Sequence, residues 1–287
     1  MPRGAKAPRR ALVGVDARRC VTKPHMDPGA TFNAIADLYD AARPDYPAAL
    51  FADLAGDANL QATDPILEIG CGTGLATQGL AKLSHFITAL DPGAELLRAA
   101  RSRLVNYPSI EFVQTSFEAW TPSARHFALA VAAQVFHWLS PTIRFRKIAS
   151  LLRPGGVLAV FGNVPVLAAA PVKGAIERAY EQFAPHLAGP PVESWYLPDG
   201  PLPKLFARSG LFTAVRHRSY ARVVKHTAAS FTDFRRSLSS HQLLPTEQRG
   251  ELFSALAAAI EAHGGEIDVR VESHLYSAPL SGRGHNE

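Results

Sequence analysis

The sequence predicts an α/β fold, a mostly parallel seven-stranded sheet with helices on both faces and a helical lid built from N-terminal and C-terminal insertions. Three observations predict it. Short β-type runs alternate with longer helical runs after Asp64-Pro65, a glycine-rich turn follows the first run, and an acid closes the second.

The predicted strands are Ile66 to Ile69, Phe86 to Leu90, Ile110 to Val113, Phe127 to Ala132 and Val157 to Phe161, with helices near 75–83, 94–105 and 141–152 between them. Arg153-Pro154-Gly155-Gly156 reads as a turn into the fifth strand, since Pro cannot continue a helix and Gly tolerates positive φ. Upstream, apolar residues from Phe32 to Ala42 recur at helical spacing, and Pro47 to Leu54 reads as a second short helix. Downstream come a helical run from Val172 to Phe183, a Pro-rich stretch through Pro203, β-type runs at Phe212 to Val224 and Ile267 to Tyr276, and helices near 228–238 and 246–262. The expected organisation is a basic leader over 1–30 and one domain over 31–287. Within that domain the core is 60–162, the lid and substrate elements are 31–56, 163–210 and 225–265, and the late strands are 211–224 and 266–278.

The chain has 287 residues, 47% of them apolar, ample for one sizeable core. Its net charge of +5 sits in the leader: residues 1–25 hold seven cations against Asp16 alone, so the remainder carries −1. A near-neutral body has no cation excess for neutralising phosphates, which argues against a nucleic-acid partner. The leader's apolar stretch, Ala11 to Val15, is too short for a secretory signal; either translation starts at Met26 or the leader is an organelle transit peptide. Cys20 and Cys71 assemble neither a disulfide framework nor a metal site, which fits a reducing, cytoplasmic setting, and no run is long enough to span a bilayer.

The most informative segment is Ile66-Leu67-Glu68-Ile69-Gly70-Cys71-Gly72-Thr73-Gly74, a buried strand entering a glycine turn that opens a helix. Bare glycines let backbone approach a ligand, and the helix start offers free N–H groups. A dinucleotide fold wants a third glycine where Leu75 stands, and a phosphate loop wants an absent Lys. Glu68 sits where a cationic ligand would help. Asp91 lies 21 positions after Gly70, placed either to accept hydrogen bonds from both hydroxyls of a ribose or to cap the next helix.

This run resembles motif I of the class I S-adenosylmethionine-dependent methyltransferases, Rossmann-like enzymes, with Leu90-Asp91-Pro92 as the acidic second motif and a match over about residues 31 to 162. Phe32-Asn33-Ala34-Ile35-Ala36-Asp37-Leu38-Tyr39, Arg43-Pro44-Asp45-Tyr46-Pro47 and Gln134-Val135-Phe136-His137-Trp138 are similar to the trans-aconitate methyltransferase-like, or type 11, branch. The resemblance implies S-adenosylmethionine as cofactor, lined by Gly70, Cys71, Gly72 and Gly74 and held at its ribose by Asp91 beside Pro92. Glu68 would orient the loop or reach the methionine ammonium through water, and Ser116 and Phe117 would stand by the adenine, Ser116 where Asp is more usual. Gln134 and Arg43 complete the implied cofactor set.

Methyl transfer from a sulfonium is an in-line displacement that needs alignment more than a nucleophilic enzyme group. His137, at the carboxyl edge of the sheet, is either a general base or packing under the cofactor with Trp138. Arg43 either binds a carboxylate or staples two helices, together with Tyr39 and Tyr46. Trp195 and Tyr196 either wall an acceptor pocket or anchor the lid, and His241 falls where the branch carries its substrate stretch, with Leu238 replacing the usual aromatic. The expected activity is methylation of a small-molecule acceptor, on a carboxylate or hydroxyl oxygen, without a metal. The alternatives are a non-catalytic cofactor-binding scaffold and an RNA or protein methyltransferase docked by the basic leader. The sequence does not set an oligomeric state.

Overall fold

A computed structural model describes residues 43–84, 86–122, 126–167, 171–189 and 191–282. The leader, the 32–42 helix and Tyr39 lie outside the described residues.

The chain runs α1 (Ala48–Asp57), β1 (Ile66–Ile69), α2 (Leu75–Leu80), β2 (Ile87–Asp91), α3 (Ala94–Arg103), β3 (Ile110–Gln114), β4 (Phe127–Ala133), α4 (Arg144–Leu151), β5 (Leu152–Leu167), α5 (Pro171–Phe183), α6 (Pro201–Ser209), β6 (Arg216–Thr227), α7 (Ala228–Arg236), α8 (Ser239–Gln242), α9 (Thr246–Glu261) and β7 (Glu266–Pro279). The seven strands order as β3-β2-β1-β4-β5-β7-β6, with β1 to β5 parallel and β7 antiparallel to both neighbours. The expected sheet is the one observed.

Strand β1 is buried at all four positions, as a central parallel strand covered on both faces must be. Its alternation sorts the two faces. Ile66, Leu129, Val131 and Ala159 meet α1, α2 and α3 through Leu50, Leu54, Leu80 and Leu97. Leu67, Ala130, Ala132 and Leu158 meet α4 and α6 through Ile148, Leu202 and Phe206. A third apolar cluster joins Ile176 and Tyr180 of α5, Phe231 of α7, and Leu252 and Leu256 of α9 to Val269 and Val271 of β7, in the segments expected to form the lid.

Three boundaries differ from the expected ones. The fifth strand was expected at 157–161, but it continues to Leu167, paired with β7 from Val157↔Pro279 to Leu167↔Val269. The Arg153–Gly156 turn is a bulge inside β5, with Gly155 at φ 73° and the register to β4 shifting between Phe127 and Leu129. The first late strand starts at Arg216 and not near 211, because Phe212 makes only an isolated bridge to Leu280. Helix α6 was not anticipated within the Pro-rich stretch.

Candidate functional site

Strand order reverses at β1, whose neighbours β2 and β4 lie on opposite sides, so the loops leaving β1 and β4 part and open a crevice at the carboxyl edge. The turn from β1 to α2 carries three left-handed glycines, at φ 68° (Gly70), 55° (Gly72) and 83° (Gly74). They are not equivalent. A Cβ on Gly70 would stand 2.6 Å from Val135 Cγ2, and one on Gly74 would stand 3.0 Å from Leu104 Cδ1. A Cβ on Gly72 would meet nothing within 4 Å. Two of the glycines let the turn pack against protein, while the middle one faces open space.

Asp91, at the tip of β2 and 6% exposed, fixes this turn. Its Oδ2 accepts the Gly72 N–H at 2.9 Å and its Oδ1 accepts the Gly93 N–H at 2.8 Å, so one carboxylate ties the glycine turn to the start of α3. Two of about four acceptor positions are used, leaving room for two hydroxyl donors. Burial raises the Asp91 pKa, against the pull of the Gly93 and Gly72 N–H groups. Arg103 of α3 braces the turn from the other side, donating from Nε to Thr73 O at 3.1 Å. Pro92 is exposed beside it.

Beneath the turn Glu68 is completely buried, and neither carboxylate oxygen has a hydrogen-bond partner among the described residues. Desolvation pushes its pKa up to about 8; the Thr77 hydroxyl, close by but outside hydrogen-bond geometry, opposes this, and the Asp91 charge adds to it. Cys71 is buried and its thiol is pushed well up by desolvation and then by the Glu68 and Asp91 charges, which disfavours the thiolate.

The remaining sequence candidates divide. Ser116 Oγ accepts the Ala119 N–H at 3.2 Å and closes a turn after β3, whereas Phe117 is buried in the core with Lys147 Nζ 5.1 Å from its ring centroid. Gln134 ends β4 at φ 58° and clamps β5, its Oε1 accepting Asn163 N–H at 2.7 Å and its Nε2 donating to Asn163 O at 3.3 Å.

A small open pocket lies here at the sheet edge, lined by Arg43, Tyr46, Gln134, Asn163, Glu193 and Phe234, with Pro44, Leu75, Pro165 and Val271. Arg43, Tyr46 and Gln134 were sequence candidates; the other lining residues were not. Asn163 organises the wall by donating from Nδ2 to Pro44 O at 2.8 Å and accepting from Ser273 Oγ at Oδ1. Arg43 Nη2 donates to Ser237 O at 3.2 Å, tying the segment ahead of α1 to the lid just past α7.

His137, Trp138, Trp195 and His241 stand outside that lining. His137 Nδ1 is 3.2 Å from Tyr196 Oη, with the Trp138 and Trp195 rings 5.4 and 6.0 Å away. Tyr196 is 1% exposed, and a Cβ on Gly162 would come 2.7 Å from its ring. Arg144, buried and free of any carboxylate partner among the described residues, lies against Phe136 and Trp195 and donates to Phe136 O, so it secures the same loop. His241 is buried in the lid, 2.8 Å from Tyr180 Oη, and burial followed by the Arg235 and Arg43 charges lowers its pKa to about 3, keeping it neutral. Among the described residues no cluster of three potential metal ligands occurs, and no helix is long and apolar enough to cross a membrane.

A doubly wound sheet closed by the antiparallel strand β7, with a glycine turn at the reversal point and an acid at the tip of the next strand, is a Rossmann-like arrangement, and part of the chain is similar to methyltransferase domains. Residues 66–156 match the family model described as a methyltransferase domain. Trans-aconitate 2-methyltransferase of Rhizobium meliloti is 35% identical over 141 residues, covering 47% of this chain and 52% of that protein; the chain spans about half the length of that relative. An uncharacterized methyltransferase of Schizosaccharomyces pombe aligns at 25% identity over 87% of this chain and 97% of its own length. Among solved structures, a putative type II methyltransferase from Anaeromyxobacter dehalogenans shares the fold with TM-score 0.59 and 21% identity, covering 83% of this chain and 97% of that one.

The residues present fit an adenosyl sulfonium on three counts. Gly72 leaves open the space that a side chain would fill, Asp91 keeps acceptor capacity, and the buried Glu68 carboxylate has no partner among the described residues.

Proposed function

We propose that this chain binds S-adenosylmethionine over the carboxyl ends of β1, β2 and β4 and methylates an oxygen, on a carboxylate or hydroxyl, of a small molecule held under the lid. The observation that carries the proposal is the Gly72–Asp91 pair, an open turn held by a carboxylate with spare acceptor positions. The acceptor class draws support from relatives named for acids, trans-aconitate 2-methyltransferase and malonyl-[acyl-carrier protein] O-methyltransferase.

The bound donor supplies an electrophilic methyl on sulfur. Asp91 receives the ribose hydroxyls and Gly72 yields the space beside them. Arg43, on the cavity wall, pairs with the donor's carboxylate, for which a guanidinium fork is suited. Glu68 faces the cationic end from below, and the donor's positive charge favours the ionised form that burial alone disfavours. The lid excludes water and aligns the acceptor, which is what an in-line displacement needs. In this reading His137 is a positioning residue, its ring engaged with Tyr196 and outside the cavity lining.

A transfer assay with methyl-labelled donor and fractionated small metabolites tests the proposal: label in a small molecule supports it, and label only in protein or RNA overturns the acceptor class.

A further inference from the structure

Glu193 has no place in the chemistry so far. It is the second residue of the 3-10 turn Val192–Tyr196, is 5% exposed, and lines the cavity beside Gln134, Asn163 and Phe234. No hydrogen bond or ion pair reaches its carboxylate among the described residues, whereas Asp45 is paired with Arg222 and Asp91 accepts two backbone N–H groups. Although the residue is largely covered, its carboxylate oxygens keep some exposure, and a ligand's donors can reach them from the cavity. The free side of Glu193 is the cavity.

We infer that Glu193 is a specificity-determining residue that selects, within the proposed methyltransferase reading, an acceptor presenting a hydroxyl donor over one presenting a carboxylate. A hydroxyl in the cavity donates a charge-assisted hydrogen bond to the Glu193 carboxylate. A carboxylate acceptor would bring a second negative charge against the first in a site of low dielectric, and like charges there repel strongly. The apolar part of the wall, Tyr46, Leu75, Phe234 and Val271, suits a hydrocarbon or aromatic body behind that hydroxyl. This departs from the acids that name the relatives.

The test uses two probes of one skeleton, benzyl alcohol and benzoate, with binding read by saturation-transfer NMR on the donor-loaded protein. Donor binding by the wild type is measured first by calorimetry; its absence defeats the methyltransferase reading itself, separately from this inference. The wild type is expected to prefer benzyl alcohol by roughly tenfold. In Glu193→Gln, which keeps the size and loses the charge, the preference is expected to vanish and benzoate to gain, since the amide can donate to it. Equal binding of the two probes by the wild type, binding of neither, or a preference that survives Glu193→Gln overturns the inference. The wild-type comparison alone decides if the variant does not fold.

Discussion

Asp91 holds the Gly72 N–H at 2.9 Å across the gap between two adjacent strand ends, so the carboxylate that shapes the turn is the same one that would receive a ribose. Removing it has two separable consequences. Asp91→Asn keeps one acceptor oxygen and is expected to weaken donor binding about tenfold; Asp91→Ala removes both and is expected to cost about a hundredfold together with roughly 2 kcal/mol of stability. Calorimetric titration and thermal melting read the two effects; equal donor affinity in Asp91→Ala and wild type would show that Asp91 only caps α3.

The three glycines respond differently to a methyl group. Gly70→Ala combines a left-handed φ of 68° with a Cβ 2.6 Å from Val135, and is expected to destabilise by about 2–4 kcal/mol. Gly72→Ala is left-handed too but meets no atom, so its stability cost is expected near 1 kcal/mol, while donor affinity falls at least tenfold, by about 1.4 kcal/mol. Denaturant melts and titrations of the pair should dissociate these effects; a Gly72→Ala protein that binds donor normally contradicts the assignment of the open space.

Glu68 makes the stability of the ligand-free protein depend on pH in an unusual direction for an acid. Its pKa is raised in the folded state, from the ordinary 4.5 to about 8, so between those values the unfolded chain has released a proton that the fold retains. Stability from this group is present below pH 4.5 and is lost as pH rises toward 8. Glu68→Gln is expected to abolish that decline and to gain on the order of a few kcal/mol at pH 8. Denaturant midpoints across the range check the slope, and a Gln variant no more stable than wild type at pH 8 contradicts it.

His137→Gln preserves a hydrogen-bonding group for Tyr196. If the imidazole only positions its loop, turnover is expected to stay within about threefold and the pH profile to keep its shape, whereas loss of a general base costs about a hundredfold or more. Kinetics against pH separate the two roles.

The parallel strands were legible because each is a short, nearly continuous apolar run, and the glycine turn because its spacing is fixed by backbone geometry. The far half of β5 was not. Gly162, Asn163 and Pro165 look like breakers, yet β4 ends opposite Phe161, so beyond it β5 pairs only with β7 and a proline without N–H is tolerated. Helix α6 did leave a trace, Pro201 at its first turn and Gly210 left-handed at its end, a pairing that marks helix limits. Glu193 and Asn163 left none, since the wall they share with Arg43 and Pro44 is made by segments more than a hundred residues apart in the chain.

The most direct test of the central claim is calorimetric titration of the full chain with S-adenosylmethionine, with Gly72→Ala alongside. The account predicts saturable one-to-one binding by the wild type, weakened at least tenfold in the variant. Absence of binding by the wild type at millimolar donor, or equal binding by both proteins, would contradict it.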